Sequence, residues 1–182
     1  MKKILVLISI LASFGMSAQA QTDSIGVYSV RNSLVERIDV LKYKQTKISS
    51  SMFKGKAKLA FDGATSTNVF TGSATFRLYF SIPSPYDVAK YYMFTPSYSA
   101  KDFGVGKFEV KKGVRYLTTA NISILGSSTI GTSEAKELKM ETKQLRPNVY
   151  EITVSGPAGE YCIMPMINGA GGYSGVFDFT IK

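Results

Sequence analysis

Apolar and polar side chains alternate with a period of two along much of the chain, which is the pattern of β-strands that bury one face. Three segments show this alternation most clearly, at residues 75–82, 148–155 and 173–182. Residues 138–143 also alternate, and weaker runs lie at residues 38–44, 56–61, 91–95, 107–110 and 116–125. Most of these runs are rich in Val, Ile, Tyr, Phe and Thr, which suit a pleated surface, so the sequence predicts a chain dominated by strands.

Turn-forming residues separate these runs. Asp62-Gly63 and Lys112-Gly113 are typical of tight hairpin turns, and Pro83-Ser84-Pro85 ends one strand because proline donates no ladder hydrogen bond. One short helical turn is predicted near residues 86–92. Many short strands at spacings of roughly 8–12 residues, with polar faces that suit solvent, predict an all-β fold. We expect an antiparallel β-sandwich of the immunoglobulin-like or prealbumin-like type.

The first twenty residues match a secretory signal peptide. Lys2 and Lys3 precede an apolar stretch from Ile4 to Leu11, and Ala18-Gln19-Ala20 supplies the small residues that a signal peptidase reads. The apolar stretch is shorter than the roughly 20 residues that a membrane-spanning helix needs. We therefore expect export to the periplasm, the cell surface or the medium, with no transmembrane segment in the mature chain.

The rest of the chain has the length of one domain, at roughly 100–200 residues per domain. No repeat at a fixed period divides it. We expect residues 21–45 to form an N-terminal strand pair or arm, and residues 46–182 to form the sandwich domain.

Several short motifs in the second half resemble those of a family of exported bacterial proteins. They are Ser84-Pro85-Tyr86, Gly106-Lys107-Phe108, Val149-Tyr150-Glu151-Ile152-Thr153, Gly159-Glu160-Tyr161 and Phe177-Asp178-Phe179. The resemblance implies an exported, strand-rich protein and carries no catalytic assignment. The turn before Tyr161 also looks like a strand entry of prealbumin-like and immunoglobulin-like sandwiches, which implies that this tyrosine has a structural role and bonds back to the preceding loop.

The composition removes several kinds of chemistry. The chain has no histidine and one cysteine, which excludes Ser-His-Asp and Cys-His catalysis, histidine-based zinc sites and CxxC redox pairs. Cys162 lies in a strand-like segment, where a small apolar role is the simplest interpretation. The glycine-rich loop at residues 168–175 lacks the Gly-Lys-Ser/Thr of a phosphate-binding loop. No cofactor and no metal site are predicted.

A lysine-rich run is the first candidate for binding. The net charge is +9, and removal of Lys2 and Lys3 leaves twenty basic against 13 acidic residues, a net charge of +7. The run from residue 42 to residue 58 contains no acid. Its candidate residues are Lys42 and Lys44, which alternate on one strand face, and Lys54, Lys56 and Lys58, which alternate on another. Such faces suit an anionic envelope glycan or protein, but lysines also guard edge strands against aggregation. Export disfavours nucleic acid as a partner.

A cluster of aromatic residues is the second candidate. It comprises Tyr86, Tyr91, Tyr92 and Tyr98. Aromatic side chains on a loop can form a platform for carbohydrate or protein. The alternative is that they cover an open end of the hydrophobic core.

Binding without catalysis is the leading functional hypothesis. A hydrolase of envelope or dietary glycans that uses carboxylates alone stays open, and it requires two facing acids in a pocket. No acid lies in a recognisable motif, and Asp178 is expected on a solvent-exposed strand face. A structural subunit of a surface assembly is a third hypothesis, and it requires an exposed sheet edge.

Overall fold

β-Strands and turns make up the computed structural model, which describes residues 26–50, 54–79, 100, 103–123, 129–130, 135, 137–165 and 175–182. The strands are β1 (Gly26–Arg31), β2 (Leu34–Arg37), β3 (Gln45–Ser50), β4 (Lys54–Asp62), β5 (Val69–Phe70), β6 (Ser73–Tyr79), β7 (Phe103–Lys107), β8 (Glu109–Lys111), β9 (Val114–Ser123), β10 (Thr129–Ile130), β11 (Lys139–Arg146), β12 (Val149–Ser155), β13 (Gly159–Pro165) and β14 (Phe177–Ile181). The predicted all-β class is confirmed. The helical turn expected near residues 86–92 lies outside the described residues. Within these ranges, the structure contains no helix with the length and apolarity to cross a membrane.

The strands form three sheets. Sheet I has the order β11-β12-β6-β1-β2, sheet II the order β5-β14-β13-β7, and sheet III the order β10-β9-β4-β3 with β8 added beside β9. The pairings are antiparallel, as the alternation predicts, except that the short β5 runs parallel to β14. The N-terminal hairpin of β1 and β2 belongs to sheet I, where β1 lies between β2 and β6.

Sheets I and II pack face to face as a sandwich. Their shared core contains Phe76 and Ile152 from sheet I and Tyr161, Ile163 and Phe179 from sheet II, together with other buried apolar side chains. The aromatic rings of Phe76 and Phe179 lie 4.9 Å apart between centroids. Every second residue of these strands faces this core, because successive side chains of a strand point to opposite faces of its sheet.

Sheet III covers the other face of sheet II. Cys162 and Met164 alternate with the residues of β13 that face sheet I, and they pack with Leu59, Phe61 and Leu117 of sheet III. Sheet II is therefore a central layer with both faces buried.

A glycine makes the close contact between sheets II and III possible. A Cβ atom at Gly106 of β7 would lie 2.9 Å from Leu117 Cδ1 and 3.0 Å from Met164 Cε. Such distances are too short for carbon atoms, so a larger residue would force these side chains to move.

The central position of sheet II overturns one expectation. Residues 173–182 alternate as though Asp178 and its neighbours face solvent, yet all five residues of β14 are buried. Asp178 is 8% exposed and Thr180 is 6% exposed, because sheet III lies over their face. The alternation correctly separates two faces, but both of them are interior.

Two predicted strands differ in extent from the observed ones. Residues 107–110 do not form one strand, because the chain passes from sheet II to sheet III at the buried Phe108. Residues 38–44 form no strand apart from a single bridge between Leu41 and Val176. Lys42 and Lys44 therefore do not alternate along a strand face as expected.

The turn predictions have mixed outcomes. Lys112-Gly113 joins β8 to β9 with positive φ at both residues, 51° and 77°, which matches the hairpin turn that its sequence predicts. Asp62-Gly63 is not a hairpin, because β4 pairs with β3 and β9 and the chain then leaves sheet III.

Candidate anion-binding site

The outer face of sheet III, which points away from sheet II, carries a group of lysines. The register of β3 and β4 places Lys47 directly opposite Lys58, so two cations from adjacent strands meet on one face. Ser49 and Lys56 form the next pair along the same face. Like charges directly opposite each other destabilise a sheet, so this arrangement favours a negatively charged partner.

The β8–β9 hairpin adds three more side chains to this face. Lys111 and Lys112 lie at its turn, and Tyr116 projects from β9. Together with the residues of β3 and β4 they line an open pocket of about 360 Å³, which we call the lysine pocket. The lysine pocket is lined by Lys47, Ser49, Lys58, Lys111, Lys112 and Tyr116.

Lys47 and Tyr116 are in direct contact within the lysine pocket. The Lys47 ammonium donates a hydrogen bond of 3.0 Å to the Tyr116 hydroxyl, and it lies 5.0 Å from the centroid of the tyrosine ring. An exposed cation over an aromatic ring gains about 0.5–1 kcal/mol. This contact holds the long lysine side chain near the ring.

One acid enters this basic surface from β8. Glu109 forms salt bridges with both Lys58 and Lys111, and it lies directly opposite Tyr116 in the strand register. The hydrogen bonds from Lys111 and then from Lys58 lower the pKa of Glu109 to about 2. Its carboxylate is therefore ionised at every pH near neutrality.

The structure separates the lysines that the sequence singles out. Lys58 lines the lysine pocket and Lys56 lies beside it on the same face of β4, whereas the side chain of Lys54 lies outside the described residues. Lys44 forms a salt bridge with Asp62, and Lys42 is exposed before β3. The lysine-rich run contains no acid in its sequence, but in the folded protein two of its lysines pair with acids. These acids are Asp62 at the end of β4 and Glu109 of β8.

The aromatic candidates belong to a segment that the structure does not describe. Tyr86, Tyr91, Tyr92 and Tyr98 all lie outside the described residues. Tyr116, which is outside that predicted cluster, instead provides the aromatic ring of the lysine pocket.

Lys111, Lys112, Tyr116 and Glu109 are absent from the predicted site. The sequence does contain a signal for Lys111 and Lys112, because the predicted turn at Lys112-Gly113 places both lysines at the tip of one hairpin. Their meeting with Lys47 and Lys58 depends on the pairing of β9 with β4, which joins segments more than fifty residues apart. No local pattern encodes that pairing.

A second group of charged side chains is buried between sheets II and III. The Arg115 guanidinium donates a 2.6 Å hydrogen bond to Asp178 Oδ2, and its Nη1 atom lies 3.7 Å from Glu160 Oε2. It also donates to the backbone carbonyls of Asp62 and Gly63. The side chains of Arg115, Glu160 and Asp178 are at most 11% exposed.

Both carboxylate oxygens of Glu160 accept further hydrogen bonds. Glu160 Oε1 accepts a 2.7 Å hydrogen bond from the Thr180 hydroxyl, and Glu160 Oε2 accepts one from the Ser66 backbone amide. The Asn68 side chain donates to the Asp178 carbonyl. The two acids therefore fix the loop that follows β4 to the central sheet, and this geometry gives no support to a hydrolase that uses them.

Two further residues from the sequence analysis are interior. The Tyr161 hydroxyl donates a 2.9 Å hydrogen bond to the Pro157 carbonyl in the turn before β13, and its ring packs in the core of sheets I and II. Cys162 is fully buried, and burial raises the pKa of its thiol. The described part of the chain contains no cluster of three or more His, Cys, Asp or Glu side chains that could hold a metal ion.

Comparison with known proteins gives no relative from which a function could be transferred. No protein-family model matches the chain, and no curated protein or solved structure matches it either.

Proposed function

We propose that the protein is an exported, non-enzymatic module that binds an anionic envelope glycan in the lysine pocket. The observation that carries this proposal is the convergence of four lysines around Tyr116 in an open pocket of about 360 Å³. Export rests on the signal-peptide pattern of residues 1–20, and the net positive charge suits a negatively charged surface.

The chemistry of the lysine pocket favours a sugar ligand over a flat protein surface. An aromatic ring offers apolar area to the C–H face of a sugar, and ammonium groups bind carboxylate, sulfate or phosphate oxygens through charge-assisted hydrogen bonds. Concave sites with a few convergent polar groups are typical of small-ligand recognition. Protection of a sheet edge explains only part of this group: Lys47 lies on the edge strand β3, whereas Lys58 and Tyr116 lie on strands inside sheet III.

The test is a binding titration with anionic and neutral polysaccharides at physiological salt. Polygalacturonate and dextran sulfate serve as anionic probes, and dextran serves as the neutral probe. The double variant Lys47→Gln with Lys112→Gln should weaken binding of the anionic probes about tenfold or more, since each lost charge-assisted bond contributes about 1 kcal/mol or more.

The matched control removes the same charge elsewhere. Lys143 of β11 and Lys182 are both exposed and lie outside sheet III, so Lys143→Gln with Lys182→Gln should change the dissociation constant less than twofold. Equal losses in the two double variants would show that net charge alone attracts the polymer. Absence of saturable binding by the unaltered protein would refute the proposed function.

A further inference from the structure

Glu109 is an acid that lies among the lysines of the lysine pocket. The proposed function requires these lysines to bind an anionic ligand. It accepts hydrogen bonds from two of the four lysines of the lysine pocket, Lys58 and Lys111. Its side chain is 43% exposed, so a bound ligand can reach it. A carboxylate at this position weakens the attraction of any anion, so charge attraction alone does not explain its presence.

The first consequence of Glu109 concerns the charge density of the ligand. The carboxylate already neutralises part of the charge of Lys58 and Lys111, which leaves Lys47 and Lys112 as the lysines of the pocket without an acid partner among the described residues. A ligand with several sulfates or phosphates would have to bring negative charge close to Glu109, and like charges repel at such distances. A ligand with one negative group can approach Lys47 and Lys112 instead.

The second consequence concerns hydrogen bonding. An ionised carboxylate is a pure acceptor with about four lone-pair sites, and the two lysines engage only some of them. The free sites can accept hydrogen bonds from hydroxyl groups, which sugars have in abundance and which fully sulfated sugars lack. Glu109 does not itself line the lysine pocket, but it contacts Lys58 and Lys111, which do. The Ser49 hydroxyl lines the pocket as a further donor and acceptor.

Tyr116 stands between these two kinds of group. It lies opposite Glu109 in the strand register and contacts Lys47 through its hydroxyl. A pyranose ring placed against Tyr116 would therefore have an acceptor on one side and a cation on the other. This is the distribution of polar groups on a sugar that has one carboxylate and several free hydroxyls.

We propose that the lysine pocket selects an acidic sugar of the hexuronate type, with Lys47 and Lys112 binding the sugar carboxylate and Glu109 accepting hydrogen bonds from its hydroxyls. This inference rests on the proposed function, since it names the ligand class of the same site. Glu109 is thereby a specificity-determining residue that favours carboxylated sugars over densely sulfated ones.

The test compares two ligands in two variants. The unaltered protein should bind a galacturonate tetrasaccharide at least tenfold more tightly than a highly sulfated tetrasaccharide, as measured by calorimetry. Glu109→Gln keeps the size of the side chain and removes its charge, so it should tighten binding of the sulfated ligand about tenfold. The same variant should weaken binding of the galacturonate ligand or leave it unchanged, because the amide is a poorer acceptor.

Glu141→Gln provides the control, because it removes one exposed acid from sheet I without touching the lysine pocket. It should leave the preference between the two ligands unaltered. The inference is overturned if the unaltered protein prefers the sulfated ligand, or if Glu109→Gln tightens both ligands equally. Failure to bind any anionic glycan would overturn the proposed function and this inference together, whereas a wrong preference would overturn the inference alone.

Discussion

Arg115 shows how a single side chain can connect several parts of this fold. It lies on sheet III and contacts two acids of sheet II. It also donates to the carbonyl of the last residue of β4 and to that of the residue after it. Its guanidinium also lies 5.2 Å from the centroid of the Phe108 ring. A planar group with five donors suits such a site better than an ammonium does. The motifs Gly159-Glu160-Tyr161 and Phe177-Asp178-Phe179 thus place their acids on adjacent strands around one arginine.

Asp178→Asn should destabilise the protein strongly. Burial of a charge without its partner is costly, and removal of one member of a buried ion pair typically costs about 3–5 kcal/mol. Asn at this position would leave Arg115 with Glu160 alone, 3.7 Å away. We expect a loss of this size in the free energy of unfolding, measured by urea denaturation.

Glu141→Gln is the comparison for Asp178→Asn. Glu141 pairs with Lys139 on exposed β11, where screening by solvent leaves an ion pair with little effect on stability. We expect no measurable change in the unfolding midpoint. If Asp178→Asn lowers the free energy of unfolding no more than Glu141→Gln does, the buried pair of Arg115 and Asp178 does not stabilise the fold.

At the scale of elements, β13 has two distinct interior faces. Tyr161 and Ile163 face sheet I, while Cys162 and Met164 face sheet III. The cysteine lies where sheets II and III meet, close to the glycine that allows their approach. Because the chain has a single cysteine, its thiol reports on the opening of this one interface.

The thiol of Cys162 should be unreactive in the native protein. Burial raises its pKa, so the nucleophilic thiolate is scarce at neutral and mildly alkaline pH, and the covering side chains exclude reagents. We expect reaction with a disulfide reagent at pH 8 to be slower by several orders of magnitude than in urea. Rapid labelling of the native protein, measured by mass spectrometry, would contradict tight packing of sheet III on sheet II.

The sequence predicts strands well and their partners poorly. Residues 75–82 and 148–155 contain β6 and β12, with Phe76 and Ile152 buried as expected, because alternation reports on the two faces of a strand. Alternation does not report what covers each face, which is why it wrongly predicts that Asp178 faces solvent. The candidate site is only partly predictable for the same reason. The alternation of Lys56 and Lys58 is visible within one strand, but Tyr116 and Glu109 join this surface only through the long-range pairing of β9 with β4.

Charge is unevenly distributed over the whole molecule. Positive side chains concentrate on the outer face of sheet III, while sheet I carries mixed pairs such as Arg77 with Glu151. Salt screens exposed charges beyond roughly 8–10 Å, so association with an anionic ligand should slow as ionic strength rises. The positive face would then increase the rate at which the ligand associates, as well as the affinity of the complex.

The stability of the molecule should fall in acid, partly through Glu109. Its folded-state pKa of about 2 lies below that of an unfolded glutamate, about 4.3, so its pairing stabilises the fold fully above that higher value. The contribution is lost as the pH falls towards 2, because protons then bind the unfolded chain preferentially. The difference in unfolding free energy between the unaltered protein and Glu109→Gln should therefore shrink between pH 5 and pH 2. A difference that is constant over this range would contradict the pairing.

The central position of sheet II has a consequence for how the chain reaches its native state. Two of its three strand pairings join distant stretches of sequence, β7 with β13 and β5 with β14. The Asn68 side chain also donates a hydrogen bond to a carbonyl 110 positions away. Closing such loops costs entropy before any contact repays it, and proteins dominated by distant pairings fold in milliseconds to seconds. Since neither outer sheet can bury its inner face until the middle layer exists, the three layers should assemble in one late, cooperative step.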